Sequence, residues 1–168
     1  VLPVGNAGNI TAYWRGYVDY AEAGRVPRTP VMMGFQAAGA APIVKGRVIE
    51  SPETIATAIR IGNPASWTEA VQAVEDSGGL IDMVSDEEII ESYRLIASRD
   101  GIFCEPASAA ALAGIIKYAA KGYFRDGDVV VCTLTGHGLK DPDLARAVFA
   151  EPRTVLPDVD AVAEALQL

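Results

Sequence analysis

The sequence is poor in the residues on which many catalytic and metal-binding sites are built. Its 168 residues include one histidine, His137, two cysteines, Cys104 and Cys132, and four lysines. One histidine and two distant cysteines cannot form a zinc-type cluster, which needs several close-set His and Cys ligands. A Ser/His/Asp triad would have to use His137, and no Gly-x-Ser-x-Gly elbow accompanies it. The cysteines allow at most one bridge and no disulfide framework; they read as reduced, buried thiols of a cytoplasmic protein. None of Lys45, Lys117, Lys121 and Lys140 sits among the apolar residues that would make an amine nucleophilic.

Long apolar runs are also missing. The longest Ala-rich stretch, Pro106 to Gly122, is broken by Ser108, Lys117 and Lys121. It falls short of the roughly 20 apolar residues that a membrane span requires. The opening Val-Leu-Pro-Val-Gly is not a basic region followed by an apolar one. Positive charge is scarce: 14 Lys+Arg stand against 22 Asp+Glu, a net charge of −8. That balance argues against nucleic acid and anionic membrane as partners, since both reward clustered Lys and Arg.

What is present is apolar and small. Half of the chain is hydrophobic, which argues against disorder, and it holds 27 alanines and 16 glycines. Alanine favours helix and glycine allows close backbone approach, a mixture suited to helices packed tightly on a sheet. The opening residues read as a strand end running straight into a loop. The chain is therefore expected to be the C-terminal piece of something longer.

Element signals alternate along the chain. Leu2-Pro3-Val4 reads as a strand end, and Ile10 to Ala23 as a helix with Asn9 as N-cap and Gly24 just past its end. Val31 to Gln36 is of strand length, and Ala37 to Gly46 reads as a loop. Glu53 to Ile61 fits helix or strand. Ser66-Trp67-Thr68-Glu69 and Ser85-Asp86-Glu87-Glu88 both have the capping-box form. The helices they open are ended by Gly78-Gly79 and Gly101, with a strand at Leu80 to Val84 between them. Pro106 starts a helix that Gly122 closes. Val129-Val130-Val131 lies in an expected buried parallel strand, Asp128 to Leu134. Asp143 to Phe149 and Asp158 to Leu166 read as short helices joined by a linker, Glu151 to Pro157. The fold class expected is α/β, a mostly parallel sheet with helices on both faces.

Ligands bind such sheets beyond the carboxyl ends of the strands. Two loops there have suggestive contents. Gly5-Asn6-Ala7-Gly8-Asn9 precedes a helix, so its N–H groups and the helix dipole could hold a phosphate. It is neither a P-loop nor a Gly-x-Gly-x-x-Gly fingerprint, and a plain turn with an Asn cap is the alternative. Thr135-Gly136-His137-Gly138 offers a hydroxyl and an imidazole for a ligand. Either side chain could equally serve the loop's own backbone. The acidic run Asp86, Glu87, Glu88 and Glu91 reads as a dipole-favoured helix start and then a solvated face. Trp14, Tyr13 and Tyr17 read as packing, and Glu105-Pro106 as a strand-to-helix junction.

Taken together, the motifs carry a resemblance. Pro3-Val4-Gly5-Asn6-Ala7-Gly8-Asn9-Ile10, Gly34-Phe35-Gln36-Ala37 and Arg60-Ile61-Gly62-Asn63-Pro64-Ala65-Ser66-Trp67 resemble the threonine synthase family. So do Glu105-Pro106-Ala107-Ser108-Ala109-Ala110 and Leu134-Thr135-Gly136-His137-Gly138-Leu139-Lys140-Asp141. These run in order over most of the chain, from Val4 to about Pro142. The resemblance implies a pyridoxal-phosphate enzyme of the tryptophan-synthase-β type (fold type II). Residues 1–150 would be the C-terminal part of its large cofactor-binding domain, and 151–168 a linker and tail helix. It implies that Gly5, Asn6, Ala7, Gly8 and Asn9 hold the cofactor phosphate and that Thr135 bonds the pyridine nitrogen, leaving it less protonated.

The implied reaction turns O-phosphohomoserine and water into threonine and phosphate, with Asn9 reaching the substrate phosphate. The family's Schiff-base lysine, in a Ser-Phe-Lys-Asp context, has no counterpart here. No catalytic residue is therefore assigned in this chain, which is expected to be inactive without the N-terminal half of the enzyme. A homodimer is compatible with the resemblance. The alternatives are a threonine or serine dehydratase of the same fold type and a non-catalytic phosphate-binding module.

Overall fold

The computed structural model describes residues 1–149 and 154–167. Three short strands form one parallel sheet in the order β1-β2-β3: Leu2–Pro3, Met33–Ala37 and Leu80–Val84. Leu2 lies opposite Gly34, and Met33 to Ala37 run in register with Leu80 to Val84. Seven helices accompany the sheet among the described residues. They are α1 (Gly8–Glu22), α2 (Pro42–Lys45), α3 (Trp67–Ser77), α4 (Asp86–Asp100), α5 (Pro106–Ala120), α6 (Pro142–Val148) and α7 (Val159–Leu166).

Strand alternation divides the core in two. Met33, Phe35 and Ala37 point to one face, where α5 packs on all three strands and α4 packs on α5. Leu2, Val4, Ile10, Ala70 and Val74 fill the other, under α1 and α3. The alanines of α5 bring its backbone close to the sheet. The Phe35 ring lies against Gly114, where an added Cβ would be 2.2 Å from the ring carbons.

The polar groups around the sheet are satisfied by specific partners. The Gln36 side chain is fully buried and its Oε1 accepts from Ile43 N and Val44 N at 3.0 and 3.3 Å. With Pro42 in the first turn, that oxygen starts α2 where the sequence reads as loop. On edge strand β3, Asp82 pairs with Lys117 at 2.9 Å and accepts from the Tyr118 hydroxyl at 3.1 Å. Burial opposes its charge, yet the hydrogen bonds from Lys117 and Met83 N, with the Lys117 charge, hold the carboxyl below its usual range. Burial, with Asp82 alongside, pushes the Tyr118 phenol up to about 12.

Several expectations are corrected. The first turn of α1 begins at Gly8 with Ala7 as its N-cap, so Asn9 lies inside the helix and cannot cap it. At Ser85 the capping box is complete, with both reciprocal bonds formed, whereas Ser66 makes no side-chain cap. Glu53 to Ile61 is neither helix nor strand; it holds one 3₁₀ turn, Thr57–Ile59.

The largest correction concerns Asp128 to Leu134, which forms no strand. Val129 is 90% and Val131 63% exposed. The segment touches β1 through two bonds only, Val1 N to the Val131 carbonyl at 2.7 Å and Thr133 N to the Val1 carbonyl at 3.0 Å. That is one rung of a parallel ladder, too little to bury a valine run. Tyr13 and Tyr17 are 43% and 41% exposed, and only Trp14 of that trio packs against the core. Of the expected linker, residues 151–153 lie outside the described residues. The expected C-terminal helices are present as α6 and α7.

Replacing Gly114 with alanine is expected to force the Phe35 ring out of place. The loss of stability should be about 1–3 kcal/mol, read as a lower denaturation midpoint with unchanged slope.

Candidate functional site

The loop from Gly5 to Asn9 leaves β1 and turns at once into α1. Gly5 is packed down on the 58–59 backbone, where an added Cβ would lie 2.9 Å from Ile59 Cα. Asn6 Oδ1 accepts from Ala65 N at 2.8 Å, and the Asn6 carbonyl from Ser66 N at 3.2 Å. These bonds tie the loop to the start of α3. Ala7 then adopts a left-handed conformation, φ 65° and ψ 5°, an uncommon state for a residue with a Cβ. Its carbonyl accepts from Thr11 N and the Thr11 hydroxyl, at 3.4 and 2.9 Å.

The consequence is an uncapped helix start. No side chain caps α1 and no acidic residue occupies its first turn. Among the described residues, the N–H groups of Gly8, Asn9 and Ile10 have no acceptor. An added Cβ at Gly8 would meet open space. Free donors at the positive end of a 15-residue helix, in front of an open surface, form a binding site for an anion.

Across the same cavity, of about 350 Å³, lie Thr135, Glu105 and Lys140. Glu105 precedes α5 but does not cap it. Its carboxylate is 4% exposed and is held by two partners. The Thr135 hydroxyl donates to Oε1 at 3.0 Å, and Lys140 Nζ pairs with Oε2 at 2.7 Å. Gly136 rests directly on this carboxylate; a Cβ there would be 2.3 Å from Glu105 Cδ. Ser108, fully buried, accepts from Thr135 N and Gly136 N at 2.9 and 3.2 Å and lies 3.1 Å from Thr135 Oγ1.

The sequence-derived residues therefore meet. Gly5, Asn6, Ala7, Gly8, Asn9 and Thr135, nearly 130 positions apart in the chain, line one cavity. His137 does not line it. Its Nδ1 accepts from Leu139 N at 3.2 Å, and its ring packs edge-on against Phe103. This satisfies the loop's own backbone. Sequence reasoning missed Glu105, Ser108 and Lys140. Glu105 reads as a junction residue, and its pairing with Lys140 across 35 positions leaves no local pattern. A second, larger groove lies between α1 and α3, lined by Trp14, Arg15, Asp19, Glu69 and Asp76 among others.

Both cysteines are free thiols. Cys104 lies next to this site, bridged by backbone to His137, and burial pushes its thiol up to about 11. No helix of the described residues is long and apolar enough to cross a membrane. No group of three or more metal-ligating side chains occurs among them.

The family model described as pyridoxal-phosphate dependent enzyme matches residues 1–136. The chain belongs to that family. Threonine synthase from Bacillus sp. (strain ULM1) is 62% identical over 144 residues, covering 86% of this chain and 41% of that protein. Threonine synthase from Mycobacterium leprae is 54% identical over 167 residues, covering 99% of this chain and 46% of that protein. The archaeal threonine synthase of Methanocaldococcus jannaschii is 44% identical over 175 residues, covering 99% and 43%.

The chain thus spans less than half the length of these curated relatives. Among solved structures, an L-serine ammonia-lyase from Rhizomucor miehei has a TM-score of 0.67 at 22% identity, covering 87% of this chain and 48% of its own. Maize serine racemase has a TM-score of 0.65 at 18% identity, covering 87% and 46%. At these identities the likeness shows the shared fold.

The residues fit the family's cofactor. A phosphate monoester matches the free first-turn donors of α1, and the cavity is of the size that small ligands occupy. A hydroxyl stands in the same cavity for a ring heteroatom.

Cys104 in the folded protein is expected to resist alkylation. At pH 8 burial keeps the thiol protonated, so its rate should be about 100-fold below that of an unfolded control, and should rise as pH climbs toward 11. Mass-spectrometric time courses at several pH values check this.

Proposed function

We propose that this chain is the C-terminal portion of a cytoplasmic threonine synthase, a pyridoxal-phosphate-dependent carbon–oxygen lyase acting on a phosphate ester. It converts O-phospho-L-homoserine and water to L-threonine and phosphate. The observation that carries the reading is the meeting of the uncapped Gly5–Asn9 helix start with Thr135 in one cavity. Identities of 54–62% to threonine synthases support it against the dehydratase alternative. A Thermus threonine deaminase, at 25% identity and a TM-score of 0.57, is the more distant resemblance. Residues 1–150 belong in this reading to the large cofactor-binding domain, and 151–168 to a linker and tail helix.

Bound pyridoxal phosphate supplies an electron-withdrawing ring that stabilises negative charge on the substrate carbons during loss of the γ-phosphate. The chain's own residues bind and orient. The N–H groups of Gly8, Asn9 and Ile10 hold the cofactor phosphate without a compensating cation, using the dipole of α1. Gly5, Asn6 and Ala7 set the direction in which those donors point. Thr135 contacts the ring nitrogen, and the exposed Asn9 side chain is available to the substrate phosphate.

The amine that binds the cofactor comes from the other half of the enzyme. Lys140, the lysine lining the cavity, is already paired with Glu105. The 168 residues by themselves are therefore inactive.

The test uses the full-length enzyme that carries this chain, given pyridoxal phosphate and O-phosphohomoserine. Equimolar threonine and phosphate are expected. Release of ammonia and 2-oxobutyrate instead would identify a dehydratase, and threonine made by the isolated 168 residues would overturn the assignment of the amine. Replacing Gly8 with aspartate places a carboxylate in open space at the helix start. It should weaken cofactor retention roughly tenfold or more, measured by equilibrium dialysis, with the fold intact by circular dichroism.

A further inference from the structure

The hydrogen bonds around Thr135 have a direction. Ser108 Oγ accepts from two backbone N–H groups, Thr135 N at 2.9 Å and Gly136 N at 3.2 Å. A hydroxyl has two lone pairs and one hydrogen, so both acceptor positions of Ser108 are used. Its hydrogen is left for Thr135 Oγ1, at 3.1 Å. Thr135 Oγ1 in turn lies 3.0 Å from Glu105 Oε1, which can only accept. The Thr135 hydrogen must lie on that line, since two bare oxygens at this distance repel. The other carboxylate oxygen is occupied by Lys140 at 2.7 Å. The relay therefore runs Ser108 to Thr135 to Glu105, and Thr135 has one lone pair and no hydrogen left for the cavity.

We propose that Glu105 is a positioning residue that fixes the Thr135 hydroxyl as an acceptor, so that Thr135 binds the cofactor's ring nitrogen in its N–H form. This rests on the cofactor assignment above and goes beyond it. It differs from the expectation attached to the resemblance, in which a neutral hydroxyl leaves the ring nitrogen less protonated. A hydroxyl whose own hydrogen is committed to a buried carboxylate favours the protonated ring instead. Lys140 keeps that carboxylate charged and oriented, and so belongs to the same device.

The experiment loads the full-length enzyme with pyridoxal phosphate carrying ¹⁵N in the ring and records the nitrogen resonance. In the unmodified enzyme it should lie at the protonated position. Glu105→Gln turns an amide oxygen to Lys140 and an NH₂ to Thr135. The hydroxyl hydrogen is then released to the cavity, and the resonance should move to the unprotonated position. Thr135→Ser keeps the hydroxyl and should retain the protonated signal.

An unprotonated nitrogen in the unmodified enzyme overturns the inference. So does a resonance that does not move in cofactor-loaded Glu105→Gln. Should Glu105→Gln not fold, the unmodified and Thr135→Ser spectra still decide. Failure of the unmodified enzyme to bind the cofactor would overturn both this inference and the proposed function. Bound cofactor with an unprotonated ring would overturn only this one.

Discussion

A carboxylate buried beside the cavity constrains everything around it. Glu105 is almost inaccessible to water, and a buried charge is tolerated only when hydrogen-bonded or paired. Both of its side-chain partners, Thr135 and Lys140, come from a stretch that forms no strand. With Ser108, Glu105 pins that stretch to the start of α5. Helix α5 is in turn seated on the sheet through Gly114 and Phe35. A continuous line of packing and hydrogen bonds thus runs from the centre of the core to the cavity wall.

The opposite wall follows a different principle. The Gly5–Asn9 loop presents no charge of its own, and the chain as a whole carries −8. Attraction for an anion there is local, from N–H groups left free because no side chain caps α1. The strained backbone at Ala7 is part of that arrangement. It is held by bonds from Thr11 to the Ala7 carbonyl and by the Asn6 contacts to Ala65 and Ser66.

Much of this was legible from local sequence signals. Gly24, Gly78 and Gly101 end helices in left-handed conformations, and Ser85 to Glu88 forms the box that its spacing announces. The two loops that share the cavity were both identifiable, one from its glycines before a helix and the other from its position after an apolar run. What was hidden depends on contacts distant in sequence. The valines at 129–131 have strong β preference, but a strand needs a neighbour, and β1 provides only one rung. Ser66 has the same local pattern as Ser85, yet its region is shaped by Asn6, sixty positions away. The role of Glu105 is set by Lys140 and Thr135, partners that no local window contains.

The contact between Val1 and the 131–133 backbone has a kinetic side. It closes a loop of some 130 residues, the longest-range hydrogen bond described in the chain. Closure entropy grows only slowly with length, by about 0.6 kcal/mol per doubling, but such contacts form late because the intervening elements must first be in place. Helices α1, α3, α4 and α5 and the strand pairs β1–β2 and β2–β3 rely on much shorter connections. The anion-binding wall can therefore be built early, whereas the Thr135 wall is delivered only when the 129–135 stretch docks. The cavity becomes complete near the end of folding, so a ligand that needs both walls reports on finished molecules and stabilises them selectively over partly folded ones.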